Sequence, residues 1–485
     1  MPDLPPFDRQ GLPPVMGTPS SPAPSAAAGA SAEGEVSSAP LPSAGSTASP
    51  PLHPSLPAQP IARPEFEPSA RPRLPRSAYV HIPFCHRRCF YCDFPVVPLG
   101  DRADGARGSG STSIAAYLEL LHREIALSPP GPPLSTVYLG GGTPSMLSPD
   151  QVAALLQALD CRYGLVPGAE ISLEMDPASF DQTRLGGYLA GGVNRVSLGG
   201  QSFDDAVLAS LGRRHRAADL LQATQWLRRA QAQGDLASWS LDLIQSLPGQ
   251  SLSHWHQQLQ AAIAQAPPHL SIYELSIEPG TVFERRLGRG ELELVDQDLA
   301  ADLMELTQRD LRQAGYGHYE ISNYAQPGHA SRHNRVYWSG AGWWGFGMGA
   351  TAAPYGRRQA RPRTRGDYAA WLGAQAAVAA FQLGAEEAGA AGDGLAHLGM
   401  ATDERWIVGL RRREGVNARQ LAAAAGLGPQ DLAALRQELA PFEQRNLLLV
   451  EGDRWRLSDP AGLALSNAVL RELLAWWPVE PDPGP

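Results

Sequence analysis

Three of the four cysteines fall in the stretch FCHRRCFYCDF, which places Cys85, Cys89 and Cys92 at i, i+4 and i+7. Thiolates spaced this way on one loop can wrap three corners of a metal–sulfur cube. A tetrahedral zinc ion would want a fourth ligand, and none is evident nearby, although His81 and His86 flank the loop. An iron–sulfur cluster with three protein ligands instead keeps one iron open to an external chelate. Cys161, alone in LDCRYG, reads as a core or surface residue without a ligand role.

Such a loop has to be presented by a scaffold, and the scaffold shows in six short apolar runs. They are AYVHIP (78–83), STVYLGG (135–141), EISLEM (170–175), RVSLGG (195–200), SWSLDLI (238–244) and HLSIYELS (269–276). Helical patterns lie between them, as in AYLELLHREIAL (116–127), QVAALLQAL (151–159) and AADLLQATQWLRRA (217–230). Strands alternating with helices imply βαβ units and a parallel sheet. Six units are too few for a closed eight-stranded barrel, so an open, partial one is expected. In such folds the site gathers at the carboxyl ends of the strands. The residues there are Cys85, Gly140 to Thr143, Glu174, Gln201, Asp242 and Ser276.

Residues 1–76 contain 19 prolines among Ala, Ser and Gly and read as a disordered tail. Beyond Pro279, residues 296–315 predict one amphipathic helix, and 317–366 are rich in glycine, aromatics and arginine. The stretch 383–398, rich in Gly and Ala, reads as a linker. Residues 400–475 predict helix, helix, short strands and helix, a winged-helix-like module. GFGMGA (345–350) is GxGxG rather than GxGxxG and predicts a tight loop, not a dinucleotide site.

Composition narrows the chemistry further. All 40 basic residues are arginine, so any mechanism that needs a lysine amine is excluded: a Schiff base, a Walker-type phosphate loop, a lysine general base. A net charge of −9 argues against a nucleic-acid partner. Four cysteines in 485 residues make no secreted disulfide framework. No run of 18 apolar residues predicts a membrane span, and the start, MPDLPPFDRQ, does not resemble a secretory signal. The expectation is a cytoplasmic protein, with peripheral association at the membrane.

The stretch YVHIPFCHRRCFYCDF resembles the radical S-adenosylmethionine (SAM) superfamily, in the branch that holds oxygen-independent coproporphyrinogen III oxidase and the HemW-type heme chaperones. The resemblance runs from about Ser77 to Leu474 and is carried also by VYLGGGTPS, GVNRVSLGGQSF, LGRRH, LDLIQSLPGQ, YEISNYAQPG and RHNRVYW. It implies an α/β fold: a partial (β/α)6 TIM-type barrel over 77–280, a family-specific extension over 281–382 and the small α+β module over 400–477. It implies a [4Fe–4S] cluster on Cys85, Cys89 and Cys92, with SAM on the open iron. Gly141, Gly142 and Thr143 would approach the methionyl amino group. Glu174 and Asp242 would bind polar edges of SAM, Asp242 at the ribose. Gln201 and Arg213 would take the carboxylate end, and Tyr79, Tyr91 and Ser276 would line the pocket.

Within the branch, the oxidases carry a further cysteine two residues after the third, where this chain has Phe94. The HemW-type chaperones have CDF there and an HNxxYW motif, matched here by His333, Asn334, Tyr337 and Trp338. The resemblance therefore implies a chaperone that carries heme to acceptor proteins of the respiratory membrane, as a monomer or dimer. An imidazole with flanking aromatic rings suits a heme, and the arginines of YGRRQARPRTR (355–365) suit its propionates. Oxidative decarboxylation of coproporphyrinogen III is the alternative.

Overall fold

Alternating residues on each central strand are apolar and polar, and this period of two decides what the sheet can do. In the computed structural model, which describes residues 74–101, 103, 110–356, 358–378 and 400–477, all six expected runs are strands. β1 (Ser77–Ile82) is followed by the two-residue strands β2 (Phe84–Cys85) and β3 (Val97–Pro98), which pair with each other around the cysteine loop. Then come β4 (Leu134–Gly141), β5 (Leu165–Met175), β6 (Arg195–Gln201), β7 (Ser238–Gln245) and β8 (His269–Glu274). β1 and β4 to β8 pair in sequence order and in parallel. Nearly all of the tail 1–76 and all of the stretch 383–398 lie outside the described residues.

One parity of these strands (Val137, Leu139, Leu173, Val196, Leu198, Leu241, Leu243, Leu270) is buried in the main core together with residues of the intervening helices. Those helices are α1 (Ser111–Leu127), α2 (Pro149–Tyr163), α3 (Gln182–Ala190), α4 (Asp205–Ser210), α5 (Ala217–Gln233) and α6 (Leu252–Ala264). Their starts follow side-chain chemistry. Ser148 and Gln151 form a capping box on α2, and Asp181, Asp204 and Ser251 cap α3, α4 and α6. The other parity (Thr136, Tyr138, Glu174, Ser197, Ser240, Asp242, Ser271, Tyr273) is polar and joined by hydrogen bonds across the concave face.

The extension adds strands that the sequence pattern missed. α7 (Val282–Gly288) and α8 (Gln297–Gln313) lead to β9 (Gly317–Glu320) and β10 (Asn323–Ala325), an antiparallel edge beside β8. After α9 (Arg332–Ser339), the short β11 (Trp344–Phe346) pairs parallel with β1 at the opposite edge. The sheet is thus nine-stranded, in the order β11-β1-β4-β5-β6-β7-β8-β10-β9. GFGMGA is mostly loop, as expected, but its first two residues, Gly345 and Phe346, finish β11, and the turn begins at Gly347. β12 (Thr351–Ala352) and β13 (Gln359–Ala360) form a small hairpin before α10 (Arg365–Val378). Glu124 of α1 fastens this region. Fully buried, it accepts hydrogen bonds from the Gly347 N–H, the Arg361 guanidinium and the Tyr368 hydroxyl.

The last module has its own core around Trp406, Leu435, Trp455 and Val469. Its helices Thr402–Leu410, Ala418–Ala424 and Pro429–Glu438 accompany a three-stranded antiparallel sheet of β14 (Val416–Asn417, between the first two helices), β16 (Arg454–Leu457) and β15 (Leu448–Glu451), in that spatial order. His318 to Asp459 and Arg335 to Glu414 tie it to the extension. Among the described residues, no helix is long and apolar enough to cross a membrane.

Candidate functional site

The cysteine loop hangs between β1 and α1, at the carboxyl end of the barrel strands. Cys85, Cys89 and Cys92 are all partly buried, unlike the exposed Cys161 on α2. Burial pushes the Cys85 thiol up to about 12 and Cys92 to about 11, and neighbouring thiols add to both shifts, which places the sulfurs within electrostatic reach of one another. Among the described residues, no three His, Cys, Asp or Glu side chains converge as ligands of one metal ion. A cubane holds its thiolates at separate corners, so it asks for a wider spacing than a single ion does.

Backbone and side-chain bonds fix the loop's course. The His81 Nε2–H donates to the Pro95 carbonyl at 3.1 Å, and this leaves Nδ1 to accept from the Tyr79 hydroxyl at 3.0 Å. Burial holds His81 down at about 4, so it stays neutral. Arg88 donates to the Cys92 and Phe94 carbonyls, and Arg363 from the extension donates to that of Asp93 at 2.7 Å.

The glycine turn at the end of β4 lies against this loop. Gly141 has φ 115°, and a Cβ there would overlap the His81 ring. At Gly142 a Cβ would sit 2.7 Å from the Phe84 carbonyl oxygen. No other residue fits either position without moving the loop. The Thr143 hydroxyl points at the Cys85 sulfur, 3.6 Å away. Glu174, ending β5, accepts from the Gly141 N–H and the Tyr138 hydroxyl, both at 2.9 Å.

Arg213 sits where the sequence points to an anion site, but part of its charge is already engaged. It pairs with Asp176 at 2.7 Å, donates to the Gly199 carbonyl at 3.0 Å, and lies 3.5 Å from the Cys89 sulfur. Burial works to raise Asp176, yet Arg213 and His215 outweigh it and hold the carboxyl well below its ordinary range. Gln201, ending β6, has φ 56°, a left-handed conformation uncommon for a non-glycine residue. Its Oε1 is buried with no protein partner. A strained residue with an orphaned acceptor points to a ligand donor that completes it.

Asp242 is held on both oxygens, by the Ser197 hydroxyl at 2.6 Å and the Ser240 hydroxyl at 2.9 Å. Burial raises its pKa and the serines oppose the shift. Tyr91 adjoins Cys89, and burial drives its hydroxyl far above the ordinary range. Ser276 is exposed beyond the end of β8.

The HNxxYW motif is at the opposite end of the barrel. Ser331 caps α9, and Glu170 near the amino-terminal side of β5 accepts the backbone N–H groups of Arg332 and His333. His333 is fully buried, with Nδ1 bonded to the Thr136 hydroxyl and Nε2 to the Tyr337 hydroxyl, each at 2.8 Å. Burial holds its pKa down at about 3, so the ring is neutral. Neither nitrogen is free to meet an iron in this arrangement. Asn334 and Trp338 are buried in the same helix, and Tyr337 stands edge-on to Trp343.

The sequence reading brought the cysteines, the glycine turn and the strand-end carboxylates to one place, noted His81 only as flanking the loop, and missed Asp176, His215 and Tyr138. Asp176 directly follows the run EISLEM, and His215 ends LGRRH, so position alone could have flagged both.

The family model of the radical SAM superfamily matches residues 79–259, and that of the HemN C-terminal domain matches 402–464. A heme chaperone HemW of Synechocystis is 40% identical over 83% of this chain and 97% of its own length. A heme chaperone HemW of Mycobacterium tuberculosis is 35% identical over 82% and 95%. Among solved structures, the coproporphyrinogen III oxidase HemN from Escherichia coli superposes with a TM-score of 0.64 at 20% identity, covering 84% of this chain and 91% of that one. That likeness shows the fold alone.

Proposed function

Since the chain belongs to the radical SAM superfamily and, within it, to the heme chaperone HemW family, we propose that it binds heme and passes it to acceptor proteins, with a [4Fe–4S] cluster and SAM at the carboxyl end of the barrel. Cys85, Cys89 and Cys92 would hold three irons, leaving the fourth to the amino and carboxylate groups of SAM. When bound, the cluster supplies an electron to the SAM sulfonium.

This chain's residues prepare the place. Gly141 and Gly142 let the backbone come close, and the orphaned Gln201 Oε1 would accept from the ligand. Thr143 directs its hydroxyl at the Cys85 sulfur, where it lowers the electron density of a thiolate ligand. Arg213, fixed by Asp176, adds a positive charge beside Cys89 and the carboxylate end. Glu174 and Asp242 offer carboxylate edges that the protein has oriented already.

The near full-length match to heme chaperones carries the choice between chaperone and oxidase. Phe94 supports it, because a ring replaces the thiol that the oxidases carry at that point. Anaerobically purified, cluster-loaded protein should retain heme through gel filtration and yield no protoporphyrinogen from coproporphyrinogen III, SAM and reductant. Turnover without heme retention would reverse the assignment to the oxidase.

A further inference from the structure

A cavity of about 490 Å³ opens on the outer side of the loop that follows Cys92. Three separate parts of the chain build it: the segment 93–97 after the cysteines, Pro279 and Gly280 beyond β8, and Met348 with residues 363–365 of the extension. β8 and β11 lie far apart in the sheet order, yet their following loops meet here. The cavity therefore lies across the open side of the partial barrel, next to the cluster loop.

Its walls and rim differ in chemistry. Phe94 and Pro279 give an apolar patch above the buried Met348, and Arg88, Arg363 and Arg365 are all exposed on its edge. Arg88 and Arg363 bond backbone carbonyls of the loop, and Arg365 bonds the Ser113 hydroxyl at 2.6 Å. Among the described residues none of the three is bonded to a carboxylate, and Asp93 is the single acid in the lining. The nearby Arg361 and Arg358 differ, being neutralised by Glu124 and Glu404. In a chain of net charge −9, three guanidiniums without a carboxylate partner beside a mixed polar and apolar cavity suit a dicarboxylate with an apolar body.

We propose that this cavity seats the heme, with Arg363 and Arg365 on its propionates and the ring over Phe94. The assignment rests on the heme-chaperone reading and says where the cargo sits. Volume, the Phe94 face and the cationic rim fit a dicarboxylate macrocycle, whereas the buried, doubly bonded His333 offers it no open face. Because Arg363 also holds the Asp93 carbonyl, a propionate there draws on the same guanidinium that braces the cluster loop.

The test is heme titration of the cluster-loaded full chain by absorbance, with iron and sulfide measured on every variant so that affinity is compared at equal cluster content. R365E and the pair R363Q/R365Q should weaken heme binding at least tenfold, and heme dimethyl ester should bind the parent and both variants equally weakly. Unchanged heme affinity in R363Q/R365Q, with normal heme binding by the parent, would overturn this site and leave the chaperone reading standing. A parent protein that binds no heme at all would overturn both.

Discussion

The two ends of the barrel are built from the same strands and nearly the same side-chain types, yet they do opposite things. β5 carries Glu170 toward one end and Glu174 at the other, and β6 carries Arg195 and Gln201. At the amino end most polar groups are closed on one another, with Arg195 Nη2 and His269 Nδ1 the buried exceptions. Glu170 lies 3.9 Å from Arg195 and accepts two N–H groups of α9, and the Tyr319 hydroxyl bridges His269 and the Ser331 N–H. At the carboxyl end there are thiols, an orphaned Gln201 oxygen, a guanidinium against a sulfur and two glycines that admit no side chain. A buried polar group that is fully partnered holds a fold together, and one left open is available to a ligand. The contrast lies in the partners, not in the residues.

If that contrast is right, the ends respond to different losses. At the carboxyl end, Cys89→Ala should reduce iron and sulfide after anaerobic reconstitution to background while the thermal unfolding midpoint stays near that of the cluster-free parent. A variant that keeps its cluster would break the comparison outright. At the amino end, Glu170→Ala strands the buried Arg195 charge and frees two N–H groups, which should cost about 3–5 kcal/mol in urea unfolding. The folded fraction should still take up a cluster.

The carboxyl end was the more legible of the two in the sequence. Cys85, Cys89 and Cys92 announce themselves because clustered thiols have few other uses, and GGGTP follows a β-branched run that could only be a strand. The six strands were legible for the same reason, through period-two apolar residues. β9, β10 and β11 were not, since strands of three or four residues are too short to show a period. The placement of RHNRVYW was hidden for a deeper cause. His333 beside Tyr337 and Trp338 looks the same whether its nitrogens face a ligand or Thr136, which is 197 residues away. Spacing reports what is local, and that bond is not.

The amino end should also be acid-sensitive, as the carboxyl end is through His81, held down at about 4. His333 titrates at about 3 when folded, against about 6.5 for an unperturbed histidine. A folded pKa lowered in a base means that the unfolded chain takes up the proton first. Stability from this group is therefore whole above about pH 6.5 and declines as the pH falls toward 3, by at most about 1.4 kcal/mol per pH unit. His269, lowered well below its ordinary value by burial, adds in the same direction. Urea midpoints at pH 7 and pH 5 should show a smaller drop for His333→Gln than for the parent. An equal drop would mean that the acid sensitivity comes from elsewhere.

The smallest effect is expected where the two ends touch. Tyr138 lies on the inner parity of β4, its ring stacked on His333 at 5.1 Å and its hydroxyl donating to Glu174, which in turn accepts the Gly141 N–H. It is thus a direct material link between the closed end and the glycine turn. Tyr138→Phe keeps the ring stack and removes only the donor, so the amino end should unfold as before to within about 1–2 kcal/mol. Glu174 would then lose one of its restraints, and the turn it orients would loosen. SAM affinity, measured by equilibrium dialysis on cluster-loaded protein, should fall a few-fold, with iron content and the pH dependence of stability unchanged. If Tyr138→Phe instead flattened that pH dependence, the ends would be one network coupled through this hydroxyl, and the division between a closed end and an open one would have to be redrawn.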